Sequence, residues 1–80
     1  MTETSLSMLL PGECGTVERI NTAASNVRQR LLEMGMIRGT PVEIIRFAPL
    51  GDPIEVRLKG YRLSLRRAEA EAVIVWREMK

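Results

Sequence analysis

Two short runs of alternating apolar and polar residues, joined by a lysine and a glycine, are the strongest structural constraint in this 80-residue sequence. Residues 54–59 carry apolar side chains on the even positions, and residues 61–65 carry them on the odd positions. Such alternation indicates strands with one buried face, because successive side chains point to opposite faces of a sheet. Glycine tolerates a positive φ, so Lys59 and Gly60 are predicted to form a tight hairpin turn.

Three further segments are also predicted to be strands. Cys14–Ile20 and residues 42–47 show imperfect alternation between apolar and polar residues. Residues 72–76 form a continuous apolar run, which is typical of a strand buried on both faces. Residues 66–71, just before this run, are too few for an independent helix and are expected to form one helical turn.

One amphipathic helix is predicted over residues 25–34. Val27, Leu31 and Met34 recur at the spacing of one helix face. Ser25 is the predicted N-cap, because its hydroxyl can accept a hydrogen bond from a free amide of the first turn. Gly35 follows the helix at the position where a left-handed residue commonly ends one.

The predicted order is therefore strand, helix, three strands, helical turn and strand, in a single domain covering residues 1–80. About five short strands bury their inner faces best by curling into a small SH3-like barrel that stays partly open. The helix that follows the first strand is expected to pack across one open end. A domain of this length has a thin core, which leaves little room for a deep catalytic cleft.

The inventory of reactive side chains argues against an enzyme. The sequence has no histidine and a single cysteine, Cys14, so neither a metal cluster nor a nucleophile with an imidazole base can be assembled. Asp52 and Glu55 lie in or beside a predicted loop and do not make a convincing acid–base pair. We therefore assign no catalytic, cofactor-binding or metal-ligating residue.

Cysteine usage and the first residues bear on the compartment. Cys14 cannot form an internal disulfide, so nothing indicates an oxidising environment. The first residues contain an acid where a secretory signal would carry positive charge, and no apolar stretch is long enough to span a membrane. The expected location is the cytoplasm.

Charge leaves one rival function open. Twelve Lys and Arg against ten Asp and Glu give a net charge of +2, which is typical of a mixed, solvated surface. The alternative is a small nucleic-acid-binding barrel that uses a basic hairpin face made of Arg57, Lys59 and Arg62. Glu55 falls on the same face, and no pair of exposed aromatic residues offers a stacking platform for bases.

Five motifs in order, spread from about Leu6 to Trp76, make the sequence similar to a known family. They are Leu10-Pro11-Gly12-Glu13 followed by Gly15-x-Val17, Arg30-Leu31-Leu32-Glu33-Met34-Gly35, Gly39-Thr40-x-Val42, Ala48-Pro49-Leu50-Gly51-Asp52-Pro53-Ile54, and Gly60-Tyr61-x-Leu63-Ser64-Leu65-Arg66-x-x-Glu69-Ala70. Each motif alone is weak, but their order and spacing together resemble the FeoA family of ferrous-iron transport accessory proteins.

The resemblance implies an SH3-like fold and a non-catalytic, cytoplasmic role. The partner that it implies is the cytoplasmic part of FeoB, the membrane ferrous-iron transporter with a GTPase domain. On this basis the chain is expected to be peripheral to the membrane through its partner only, and not to bind nucleic acid. No residue here supplies an iron site, so metal binding is not inferred from the family name.

Docking is expected to use the loop of residues 48–53 and the exposed face of the helix over residues 25–34. The residues predicted to contact the partner are Arg28, Arg30, Leu32, Leu50, Gly51 and Asp52.

Five of these residues also have an ordinary structural explanation, which for Gly51 is turn chemistry. Leu50 either folds back onto the core or serves as an exposed anchor for a partner. Leu32 either widens the core face of the helix or serves the partner, and Arg28 and Arg30 are either solvated helix charges or interface residues.

Overall fold

The computed structural model describes residues 2–78, which form six strands and two helices. In chain order these are β1 (Thr2–Ser5), a 3₁₀ turn (Leu6–Met8), β2 (Cys14–Ile20), α1 (Ser25–Glu33), β3 (Pro41–Phe47), β4 (Ile54–Leu58), β5 (Tyr61–Leu65), α2 (Arg67–Ala72) and β6 (Val73–Arg77). No helix among these residues is long and apolar enough to cross a membrane.

All six strands belong to one antiparallel sheet with the order β1-β6-β2-β3-β4-β5. β1 and β5 are its two edges, so the sheet is open. The register shifts within the β2–β6 pair and within the β3–β4 pair, which marks a bulge in each. Bulges bend strands, and here they curve the sheet around a single apolar core. The predicted mainly β fold class is confirmed.

The predicted hairpin is confirmed. Ile54, Val56 and Leu58 are buried, as their alternation requires. Leu58 pairs with Tyr61 across a two-residue turn whose φ angles are 50° at Lys59 and 81° at Gly60. Two successive positive φ values define the turn type whose twist matches that of paired strands, and glycine adopts this conformation without steric cost.

The helix is confirmed in its position and on its buried side, but the predicted N-cap is wrong. Leu31 is fully buried, and Val27 and Met34 pack partly against the core. The N-cap is Ala24, with no side-chain capping bond, and Ser25 is the first helical residue. Ala24 takes this position because its amide donates to Thr22 Oγ1 at 3.2 Å while its carbonyl accepts the first helical hydrogen bond.

Residues 2–78 form six strands and not about five, because β1 was not predicted. β1 has the sequence Thr-Glu-Thr-Ser, with no apolar residue to produce an alternating pattern. Its main chain pairs with β6 along its whole length, from Thr2 opposite Arg77 to Ser5 opposite Ile74. An edge strand needs only main-chain partners on one side, so a polar segment can serve.

The end of the chain also differs slightly from the prediction. α2 is a six-residue helix over Arg67–Ala72, and β6 starts at Val73 immediately after it. Ala72, predicted as the first residue of the strand, instead completes the last turn of α2.

Replacing Gly15 by alanine should destabilise the fold. A Cβ at this position would lie 2.8 Å from Val75 Cγ2 and 3.1 Å from the Trp76 carbonyl oxygen, both of them in β6. Overpacking of this kind costs about 1–3 kcal/mol of unfolding free energy, measurable by urea denaturation. In a Gly15→Ala, Val75→Ala double variant the shorter side chain at position 75 relieves the clash. The double variant should therefore lose less unfolding free energy than the two single variants lose together. Simple additivity would show that no clash exists.

The pKa of the Glu3 carboxyl should depend on Arg19. The Arg19 guanidinium donates hydrogen bonds to both Glu3 oxygens, at 2.8 and 2.9 Å. These bonds, assisted by the positive charge, hold the pKa of Glu3 below its usual value of 4.5. A lowered folded-state pKa means that the pair stabilises the fold above pH 4.5 and loses that contribution as pH falls through the folded-state pKa.

Arg19→Gln should therefore raise the pKa of Glu3 toward its usual value in a carboxyl titration followed by NMR. Arg19→Lys, which keeps the charge but not the two-pronged geometry, should give an intermediate value. An unchanged Glu3 pKa in both variants would contradict the interpretation.

Candidate docking surface

The loop of residues 48–53 is a short, internally bonded connection between β3 and β4. The Gly51 amide donates to the Ala48 carbonyl at 2.7 Å, and the Ala48 amide donates to the Pro53 carbonyl at 3.0 Å. Leu50 sits at the tip with 96 % of its surface exposed. Of the two alternatives for Leu50, the fold-back onto the core is therefore wrong, and the side chain is fully presented to solvent.

Arg67, the first residue of α2, holds this loop in place. Its Nε donates to the Gly51 carbonyl at 3.0 Å, and its main-chain amide donates to Asp52 Oδ1 at 3.0 Å. The guanidinium also lies over the Phe47 ring, 5.2 Å from the ring centre. Gly51 and Asp52, both predicted partner-binding residues, are therefore used in fixing the base of the loop beneath Leu50.

The same guanidinium brings in a segment that sequence reasoning missed. Arg67 Nη1 also donates to the Ser7 carbonyl in the 3₁₀ turn, at 3.4 Å. The next residue, Met8, is 66 % exposed, although methionine is usually a core residue. Met8 thus follows, and Leu50 precedes, a residue whose carbonyl accepts a hydrogen bond from Arg67. No local pattern in the sequence links residues this far apart.

The two arginines of α1 have separate partners within the molecule. The Arg28 guanidinium donates to the carbonyls of Ile20 and Thr22, at 3.0 and 2.6 Å, and so supports the connection between β2 and α1. Arg30 pairs with Glu69 of α2, with 3.2 Å between Nε and Oε2. Arg28 is therefore largely committed to its own chain, and Arg30 links α1 to α2.

Glu69 is a nearly buried carboxylate whose oxygens are both used. It is 8 % exposed, and its Oε1 accepts the Arg66 amide at 2.9 Å while Oε2 faces Arg30. Burying a charge is costly unless it is paired and hydrogen-bonded, as this one is. Beside it lies a groove of 360 Å³ between α1 and α2.

Leu32 lies apart from the loop group. At 100° per residue, Leu32 and Arg28 share one flank of α1, and Arg30 lies on the other flank. Leu32 is 43 % exposed, near the C-terminal end of α1. There the Tyr61 hydroxyl donates to the Met34 carbonyl and ties the hairpin to the helix. The structure thus joins the loop residues and Arg30 through α2, but it does not bring Arg28 and Leu32 into that group.

The basic hairpin face proposed for nucleic acid is largely neutralised by neighbouring acids. Arg57 pairs with Glu43 at 3.1 Å, and Arg62 pairs with Glu55 at 3.4 Å. Glu55 also binds Arg46, at 3.0 Å. Lys59 sits in the turn and makes no ion pair with a carboxylate of residues 2–78. Paired charges of alternating sign are a poor electrostatic footprint for a phosphate backbone.

Within the described part of the chain there is no cluster of three or more His, Cys, Asp or Glu residues that could hold a metal ion. Cys14, at the start of β2, is half-buried. Several large apolar side chains are exposed, and Leu50 and Met8 are the most exposed of them. Exposed apolar side chains of this kind are suited to contact with another macromolecule.

Comparison with known proteins agrees with this description. A fusion protein of Porphyromonas gingivalis, named Fe(2+) transport protein A/Fe(2+) transporter FeoB, is 36% identical over 70 residues. These are 88% of this chain but only 8% of that protein, so the chain spans a small part of this relative.

Two solved structures have the same fold. An FeoA-like protein from Clostridium acetobutylicum is 38% identical, with a TM-score of 0.90 over all of this chain and 93% of that one. The FeoA protein of Stenotrophomonas maltophilia, solved with zinc and described as a prokaryotic SH3 domain protein, is 31% identical. Its TM-score is 0.79, over 90% of this chain and 88% of that one.

The predicted SH3-like architecture is therefore confirmed. The family model described as the FeoA domain matches residues 4–77, which is nearly the entire sequence, and the chain belongs to the FeoA domain family.

Proposed function

We propose that this chain is a non-catalytic accessory protein of ferrous iron uptake, which docks in the cytoplasm on the cytoplasmic part of a FeoB-type transporter. The observation that carries the proposal is the full exposure of Leu50 on a loop whose base is bonded to α2. The P. gingivalis relative supports the choice of partner, because its name joins an A-type transport protein and the FeoB transporter in one polypeptide.

The physical case for docking rests on anchoring and rigidity. An exposed leucine gains about 1.5–3 kcal/mol when a partner covers it. A loop that is already fixed loses little conformational entropy on binding, so more of that gain remains as affinity. Arg67 supplies this rigidity through bonds to Gly51 and Asp52. Met8, which follows the Ser7 carbonyl bonded to the same guanidinium, is a second exposed apolar residue.

The six predicted residues take different parts in this proposal. Leu50 is the anchor, and Gly51 and Asp52 hold it in position. Arg30, linked to α2 through Glu69, forms the neighbouring polar rim. Arg28 and Leu32 lie on the far flank of α1, and we assign them at most a secondary contact.

Leu50→Asp should weaken docking at least about tenfold, because an anchor of 1.5–3 kcal/mol is lost and each 1.4 kcal/mol is a factor of ten. The measurement is a titration of isotope-labelled protein with the GTPase portion of the cognate transporter, followed by backbone amide shifts. The free energy of unfolding should stay within about 0.5 kcal/mol, since the side chain touches no core.

Leu32→Asp is the matched control, because it places the same charge on the flank of α1 opposite to Arg30. Leu32 is less than half as exposed as Leu50, so its replacement should weaken docking less. Equal losses of affinity in the two variants would contradict a docking surface centred on Leu50 and would indicate that α1 takes part in it. An absence of amide shifts in wild-type protein, with and without guanine nucleotide, would show that this portion of the transporter is not the partner.

Arg67→Ala should make the loop of residues 48–53 more mobile without changing the Leu50 side chain itself. Loss of its hydrogen bonds and of the contact with Phe47 should lower the unfolding free energy by about 1–3 kcal/mol. Affinity for the transporter portion should fall several-fold, because the loop must then be ordered on binding. Arg66→Ala removes the same charge from the neighbouring exposed position and should change neither quantity much. Equal effects of the two variants would point to charge and not to loop geometry.

A further inference from the structure

β5 is the longer of the two edge strands, with five residues against four in β1, and no strand within residues 2–78 pairs with its outer side. β5 is hydrogen-bonded to β4 alone, in an unbroken register from Leu58 opposite Tyr61 to Ile54 opposite Leu65. Neither bulge of the sheet falls in this pair, and no proline interrupts the strand. Proteins usually protect edge strands with bulges, prolines or charges that discourage pairing with another chain. The first two devices are missing here.

The register shows which main-chain groups point outward. Across a two-residue hairpin turn, the flanking residues Leu58 and Tyr61 exchange both main-chain hydrogen bonds, and bonded and non-bonded pairs then alternate. Tyr61, Leu63 and Leu65 therefore bond to β4, and the amides and carbonyls of Arg62 and Ser64 point away from it. No other hydrogen bond within residues 2–78 uses these four groups.

The four outward groups are complementary to a second copy of themselves. An antiparallel pair of β5 strands related by a two-fold axis at Leu63 places Arg62 opposite Ser64 of the second copy. Each such pair exchanges two hydrogen bonds, because both residues present an outward amide and an outward carbonyl. Two pairs give four bonds, which use every outward group of both strands. Leu63 of each copy then faces the other in the closely spaced, non-bonded position.

The side chains in this register are compatible with pairing. Arg62 faces a small neutral serine and not its own counterpart, and its charge is already paired with Glu55 of its own chain. On the inner face, the half-buried Leu63 and the partly exposed Tyr61 would gain cover. Tyr61 ties α1 to one end of β5, so the α1 helices of two copies lie at opposite ends of the paired strands.

We infer that β5 is a self-association surface, through which two copies of this chain join their sheets by antiparallel pairing of Tyr61–Leu65. One strand pair buries a small area, so the dimer is weak and forms at high protein concentration. The surface does not include the loop of residues 48–53, so the dimer and the docking on a transporter stand or fall separately.

Ser64→Pro and Ser64→Val form a matched pair of variants for the test. Proline removes an amide that points away from β4, so the β4–β5 hydrogen bonds are kept, and proline is tolerated at such edge positions. Valine keeps that amide and favours extended backbone. Urea denaturation establishes that both variants fold.

Sedimentation equilibrium over a rising concentration series is the measurement. Wild-type protein and Ser64→Val should rise from the mass of one chain toward twice that mass, and Ser64→Pro should stay at the mass of one chain. Hydrogen exchange of the Arg62 and Ser64 amides should slow several-fold with concentration in the wild type. Leu50→Asp should dimerise as the wild type does.

Three outcomes would overturn the inference. The first is a wild-type protein that stays a single chain at every concentration. The second is equal association of Ser64→Pro and Ser64→Val, which would place the interface elsewhere. The third is slowed exchange of the Arg62 and Ser64 amides only when the transporter portion is added, which would assign the edge to a strand of that partner.

Discussion

The contacts of one side chain, Arg67, hold together the part of the molecule on which the proposed docking depends. Loop carbonyls need hydrogen-bond donors, and a loop has no ladder of its own to supply them. The guanidinium is a planar group with several donors, so it can serve two segments at once. Here it bonds the carbonyls of Gly51 and Ser7 and covers the Phe47 ring. Because α2 continues without a linker into β6, the loop is tied to a central strand of the sheet.

Most of the surface charge is arranged in pairs that cancel. Arg19 with Glu3, Arg57 with Glu43 and Arg77 with Glu13 are ion pairs between residues distant in sequence. Exposed pairs of this kind add little to stability. Their main effect is on recognition, since they leave no broad field of one sign to attract a polyanion. The docking that we propose therefore rests on the exposed apolar side chains of Leu50 and Met8.

The parts of the fold that sequence predicted are those where side-chain burial repeats at a regular period. The alternation around Lys59 and Gly60 predicted the hairpin, and the spacing of Val27, Leu31 and Met34 predicted the buried side of α1. β1 escaped prediction because its pairing with β6 is made by the main chain, which leaves no trace in a polar sequence. The N-cap was misplaced for a similar reason, since the start of α1 is set by a turn at Thr22.

The candidate site was only partly predictable. The presence of a leucine among turn residues drew attention to the 48–53 loop, but its exposure depended on where the loop was held. Arg67 is 16 residues from Gly51 and 60 from Ser7, so no local pattern could reveal that contact. Likewise, the opposite placement of Arg30 and Leu32 follows from helix geometry, but which flank faces α2 depends on the pairing with Glu69.

The pairing of Thr2 with Arg77 has a consequence for how such a domain can be built into larger proteins. The polypeptide enters and leaves the sheet at neighbouring positions, so a longer chain could carry this domain as a side module without threading around it. A tether of that kind replaces encounter in solution by a high effective local concentration near whatever it is joined to. A weak docking contact is then sufficient, because the covalent connection supplies the proximity that affinity would otherwise have to provide.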